Sequence, residues 1–378
     1  MKKRASGRFR LAAMLLIFFA CAFLLPASRT GDGRLYLLAA AVPAVMLILL
    51  FFPGSAIFLD RPSLSAALIL YGFSILASAA VLPDEALSQG MRCIAALFFL
   101  MTGIVLVRAF RPSFPAALSL VLLSLGMLSV PLWIPSVSFS LAEGGTALLL
   151  FAVAAFLSLH LCLPALVSSL GGVMLLLLQQ DPSAAAIWCV ASVLVFWAAS
   201  GSGLWSGISL FTSGGLFAGC LLFAPHLFQS SASASESHLL PRLAAMQVIP
   251  PDTVTESAEA SDSLFFLLGD HFGLLFLLCA LILFVLFLLR GTSLALHTRK
   301  SFHAAVALGA VILFGLRAIL FLVATMNWLP VETVDFPLMT ASFPSICAQF
   351  FLIGLLSGVS ARNEADLEED ARLAMLAH

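Results

Sequence analysis

Charge is scarce in this sequence. Of 378 residues, 10% are Asp, Glu, Lys or Arg and 62% are hydrophobic, whereas a soluble globular domain carries roughly 25% charged and 45–50% apolar residues. That shortage excludes an ordinary soluble domain. The formal net charge is −1, so no basic excess points towards nucleic acid, which is not an expected partner. The seven cysteines lie in or beside apolar runs with no C-x-x-C pair. They read as small buried hydrophobes; neither a zinc site nor a disulfide framework is expected, and no metal ligands are assigned. A Walker motif, a dinucleotide fingerprint, an H-E-x-x-H helix and a convincing internal repeat are all absent.

What is present is one apolar run after another, at a mean hydropathy of +1.11. The expected spans are roughly 11–29, 34–53, 64–83, 90–109, 113–134, 145–162, 163–179, 183–200, 203–224, 264–289, 303–325 and 340–359. Short loops near 162, 181 and 201 set the total at about 10–12. Backbone groups in lipid must be satisfied within the segment, and no stretch alternates with period two as a barrel would. The fold class is therefore all-α: a polytopic transmembrane helical bundle. The first run, after Met1-Lys-Lys-Arg4, resembles a signal peptide, but Pro26-Ala-Ser28 is a weak cleavage site, so an uncleaved first span is expected.

Lys and Arg set the orientation. With the N-terminus inside, thirteen fall on the cytoplasmic side and four outside. Both termini are then cytoplasmic, and the polar loop 225–263 is external. That loop starts small and Ser-rich, passes an apolar patch at Leu239–Val248, and ends with Asp252, Glu256, Glu259 and Asp262 before an apolar run. An Asp in that place caps a helix N-terminus. It is also a half-desolvated carboxylate at the end of a polar loop. The pairs Gly144-Gly145, Gly171-Gly172 and Gly214-Gly215 are expected to let helices approach closely. An Arg in mid-span, Arg317, costs roughly 2.5–3.5 kcal/mol on insertion scales. It needs a partner or a water-filled cavity, and Glu143, Asp181 and Asp270 are the candidate partners.

The C-terminal two-thirds resembles the SEDS family, the FtsW, RodA and SpoVE group. Ala260-Ser-Asp-Ser-Leu-Phe-Phe-Leu-Leu-Gly-Asp-His-Phe-Gly273 has the length of the family pattern H-T-D-F-I-F-A-x-x-x-E-E-L-G and keeps its Asp at Asp262 and its Gly at Gly273. Leu329 to Ser345 is similar to L-P-V-T-G-I-P-L-P-F-I-S-Y-G-G-S-S, identical at Leu329, Pro330, Val331, Pro337 and Ser345. Phe139-Ser-Leu-Ala-Glu143 resembles F-Q-P-S-E, and Gln179-Gln-Asp181 resembles Q-P-D. Thr146 stands where the family has a Lys, Arg317 where it has a Gln, and Ala341-Ser-Phe343 where it has Tyr-Gly-Gly.

The resemblance divides the chain into divergent N-terminal spans (1–132), a SEDS-like core (133–360) with its external loop, and a cytoplasmic tail (361–378) expected to form a short helix. It implies a peptidoglycan glycosyltransferase that polymerises lipid II at the outer face of the bacterial cytoplasmic membrane, in division or elongation. Diphosphate leaves readily, so one base suffices, unlike the two carboxylates of glycoside hydrolysis. Asp262 takes that role. Glu143, Arg317, Asp270 and Ser345 are the implied substrate-binding residues, with Arg317 either a diphosphate clamp or half of an internal ion pair. A divalent cation, Mg or Mn, is compatible with the diphosphate. A class B penicillin-binding protein and other divisome or elongasome membrane proteins are the implied partners. The alternatives are a catalytically inactive SEDS-like scaffold that recruits cell-wall proteins, or a membrane transporter.

Overall fold

A computed structural model describes residues 14–25, 27–28, 31, 33–51, 61–81, 83–134, 141–223, 263–326 and 334–376. Among the described residues there are thirteen helices of nine residues or more and no strand. They are α1 (Met14–Leu25), α2 (Gly33–Phe51), α3 (Arg61–Val81), α4 (Pro83–Ala109), α5 (Phe114–Trp133), α6 (Leu141–Ser158) and α7 (Cys162–Leu178). The chain continues with α8 (Pro182–Ser200), α9 (Gly203–Phe223), α10 (Leu264–Phe272), α11 (Leu274–His297), α12 (Ser301–Thr325) and α13 (Phe343–Leu376). Among the described residues, eight helices are long and apolar enough to cross a membrane, and Met14–Leu25, Gly33–Leu49 and Cys162–Leu178 are shorter apolar stretches. The chain is a multi-pass membrane protein.

Each expected span has its helix, with two departures. The span at 264–289 is broken into α10 and α11 at Gly273, whose φ of 88° and ψ of 164° suit only glycine. The last span does not stop before the tail: α13 runs on for 34 residues, so the separate tail helix is its continuation.

Helices in lipid gain nothing from hydrophobicity against each other and pack by close fit. α4 and α13 cross backbone against backbone. A methyl on Gly103 would sit 2.6 Å from the Phe351 carbonyl oxygen, and one on Gly354 would strike the Leu100 backbone. Of the Gly pairs, Gly145 is covered by Leu128 and Gly172 by Leu149 and Trp188, while Gly215 faces open space and Gly214 has only Leu210 near it. The third pair therefore makes no close crossing among the described residues. α6 is the hub of the bundle, fully buried from Leu149 to Ala155. Leu122 of α5, Phe98 of α4 and Leu289 of α11 project outwards, as lipid-facing side chains do. All seven cysteines are free thiols.

Ahead of α13, residues 334–342 form a non-helical segment that returns into the bundle. Phe336, Leu338, Met339 and Thr340 have no exposed surface. Leu338 adopts a left-handed φ of 67°, and its N–H donates to Gln349 Oε1 at 2.8 Å. The same oxygen accepts from Tyr71 Oη at 2.9 Å. Gln89 of α4 donates to the Thr340 carbonyl at 3.3 Å, and Arg92 to the Ala341 carbonyl at 2.9 Å. Non-helical backbone at membrane depth needs such partners. Here α3, α4 and α13 supply them.

Candidate functional site

The starts of α6, α8, α10 and α13 and the end of α12 lie at one end of the bundle, the end that carries the 224–262 connection. Ser113 and Leu161 begin α5 and α7 from the opposite end. Glu143 is in the first turn of α6. Arg317 lies eight residues before the end of α12, about 12 Å into the bundle at 1.5 Å per residue. The guanidinium Nη2 is 2.5 Å from Glu143 Oε1, with the side chains 12% and 14% exposed. Ser345, in the first turn of α13, donates to the same Oε1 at 2.6 Å. Three of the four residues implied in substrate binding therefore meet on one carboxylate oxygen. Of the three candidate partners for Arg317, Glu143 is the one it contacts.

Glu143 Oε2 is buried and has no hydrogen-bond partner among the described residues. A bare carboxylate oxygen in an apolar bundle is costly, and this one is an acceptor awaiting a donor. Beside the pair is a narrow cleft of about 20 Å³, lined by Thr146, Trp188, Arg317 and Leu352 among others. That is room for about one water. Thr146 points its hydroxyl at its own helix, onto the Glu143 carbonyl at 2.9 Å.

Two further acids act on Arg317 through space, Asp181 and Asp335. Asp181 caps α8, accepting from the Ala184 N–H at 2.9 Å and the Ser183 hydroxyl at 2.7 Å. Asp335 accepts from the Thr340 hydroxyl at 2.6 Å. Asp335 is exposed at the edge of the returning segment. Asp335 was not singled out from the sequence; the available signal was an Asp between the apolar residues Val334 and Phe336.

Asp270 does not join this group. It sits half-buried near the end of α10, beside His271, and is not among the acids that act on Arg317. Asp262 lies outside the described residues. The described chain resumes at Ser263, the N-cap of α10, whose buried Oγ has no partner among the described residues. One residue into the helix, Phe265 stacks on Phe336 with centroids 4.4 Å apart and meets Phe321 of α12 at 5.5 Å. The first turn of α10 is thus clamped between the returning segment and the helix that carries Arg317. No group of three or more His, Cys, Asp or Glu among the described residues is arranged to hold a metal.

Residues 255–365 match the FtsW/RodA/SpoVE family, described as "Cell cycle protein". No curated protein sequence matches the chain significantly. Solved structures do. The rod shape determining protein RodA of Thermus thermophilus is similar with a TM-score of 0.56 at 19% identity, over 81% of this chain and 97% of RodA. An aspartate-to-alanine variant of that RodA gives 0.56 and 19%, over 81% and 98%. A chain of a peptidoglycan synthase complex, described under the structural coordination of polymerization and crosslinking, gives 0.55 and 19%, over 81% and 98%. At that identity the likeness establishes the fold alone, and the sequence match is confined to the last third: the protein has a RodA-like fold and carries a segment, residues 255–365, similar to the FtsW/RodA/SpoVE family.

Proposed function

We propose that the protein is a peptidoglycan glycosyltransferase that polymerises lipid II at the outer face of the bacterial cytoplasmic membrane, for cell division or elongation. The acceptor sugar hydroxyl attacks the anomeric carbon of the donor as the bond to diphosphate breaks. Asp262 takes the hydroxyl proton, and the lipid diphosphate departs with the electron pair. The observation that carries this is the convergence of Glu143, Arg317 and Ser345 from three helices, in the end of the bundle where α10 follows Asp262. Arg317 supplies the cation that a diphosphate needs, and Glu143 Oε2 supplies an acceptor for a substrate hydroxyl or amide. The family's Lys is replaced by Thr146 and its Gln by Arg317, yet both positions line one cleft with Glu143. The cation that the family pattern places on α6 is here on α12, where it faces Glu143. A class B penicillin-binding protein is the proposed partner, and both termini are cytoplasmic in this reading.

The deciding experiment is lipid II polymerisation by purified protein, with and without its co-purified transpeptidase, comparing wild type with Asp262→Ala and Asp262→Asn. Polymer from wild type alone, at equal folding, supports the enzyme and its base. Equal polymer from all three removes Asp262 from the chemistry.

An inactive scaffold is the alternative, and one observation favours it. The cleft beside the ion pair has room for about one water, so a diphosphate would reach Arg317 only if the helices part. No polymer from any of the three proteins, with the partner present, would select the scaffold.

A further inference from the structure

The opposite end of the bundle holds a second polar cavity, of about 450 Å³, at the level where the helices leave their apolar segments. Its rim brings together Arg108 from the end of α4, Arg111 from the connection after it, Lys300 from the start of α12 and Arg362 from α13, with no Asp or Glu among the described lining residues. Asp366 stands behind the rim, 2.8 Å from Lys300 and 3.7 Å from Arg362. That carboxylate holds two of the cations in place. The floor is apolar: Phe110 and Phe302 line the cavity with ring centroids 5.5 Å apart, and Phe151 closes the cluster behind them.

Two further features point to an anion. α12 begins here, its N-cap Lys300 makes no side-chain capping bond, and the N–H groups of a first helical turn have no carbonyl of their own to meet. His303, on that first turn, lines the cavity and is 8% exposed; its ring is bonded to the Val107 backbone, and its buried Nε2, without a hydrogen-bond partner among the described residues, donates to an anion as the N–H of a protonated ring. A histidine nitrogen, a helix N-terminus and four cations around one cavity form a built site for a small polyoxygen anion.

We infer that this cavity binds a phosphate group at the membrane boundary, and that its source is the headgroup of an anionic phospholipid. The phosphate oxygens take the guanidinium groups and the start of α12, and the phenylalanine floor takes the glycerol and first methylenes. A soluble phosphate would satisfy the rim and leave the floor wet, which is why the lipid is the better match. The inference rests on the membrane fold alone and stands or falls separately from lipid II polymerisation.

The test uses full-length protein in a neutral detergent, titrated with phosphatidylglycerol, phosphatidylcholine or inorganic phosphate and read by native mass spectrometry. The expected result is a single phosphatidylglycerol adduct preferred over phosphatidylcholine. Arg111→Gln and Arg362→Gln should each weaken it roughly fivefold, the size expected per basic residue at a charged membrane surface. His303→Leu, which leaves the rim intact, serves as a second probe if an arginine variant unfolds; it should weaken the adduct without touching phosphatidylcholine. Phosphate adducts that the same variants abolish, with no preference between the lipids, would assign the site to soluble phosphate and overturn the lipid. Equal retention of both lipids in wild type, with no phosphate adduct, would overturn the site.

Discussion

Arg317 Nη2 and Glu143 Oε1 are 2.5 Å apart in the interior of the bundle, and Ser345 closes the same oxygen from a third helix. α6, α12 and α13 are thereby tied at one point near the loop end. Neither charge is affordable alone in lipid, so the pair also fixes the register of the three helices.

Removing one partner should therefore cost more than removing both. Arg317→Met leaves a buried carboxylate uncompensated, at about 3–5 kcal/mol. Glu143→Gln with Arg317→Met replaces the pair by groups of similar size and should recover most of that loss. Unfolding of the two single variants and the double variant in mixed micelles checks it. Additive losses would show that the two residues do not depend on each other.

How much of this was legible beforehand differs by level. The helices were, because apolar runs of span length have one solution in lipid. Even the charge pairing was narrowed to three acids by the cost of an Arg in mid-span. The break at Gly273 was not, since Leu-rich sequence on both sides hides a φ of 88°. Nor was the grip on the returning segment: Tyr71, Gln89 and Gln349 are isolated polar residues on three helices, and nothing in their spacing says that they meet at Leu338 and Thr340. Asp270 looked equivalent to Glu143 as a partner for Arg317; only packing separates them.

That grip can be tested at Gln349. Gln349→Leu takes the acceptor from two buried donors, Tyr71 Oη and the Leu338 N–H. Each orphaned donor costs about 1–3 kcal/mol. Tyr71→Phe deletes one donor and leaves Oε1 to Leu338, so it should lose much less. The order of unfolding midpoints, wild type above Tyr71→Phe above Gln349→Leu, is the expected outcome. Equal midpoints for the two variants would mean that the returning segment does not depend on Gln349.

The α4–α13 crossing makes a steric prediction with an internal control. Gly354→Ala drives a methyl into the Leu100 backbone, where no side chain can give way, and overpacking of this kind costs about 1–3 kcal/mol or more. Gly126 on α5 has nothing within 4 Å of an added Cβ, so Gly126→Ala should gain up to about 1 kcal/mol from helix propensity. Opposite shifts in unfolding midpoint are expected from the same chemical change. A neutral Gly354→Ala would show that the two helices can part.

The last prediction concerns the displaced cation. If Arg317 does from α12 what the family's Lys does from α6, the two arrangements should be interchangeable only as a whole. Arg317→Gln alone strands Glu143, and Thr146→Lys alone forces a second cation into a cleft with room for about one water. The double variant, Thr146→Lys with Arg317→Gln, restores one cation to one carboxylate in the family's own distribution. Stability should fall in each single variant and return in the double, and polymerisation of lipid II should follow the same course. Stability that returns without polymer would confine Arg317 to holding the helices together. Failure of the double variant in both would mean that the side from which the cation enters the cleft matters as much as its charge.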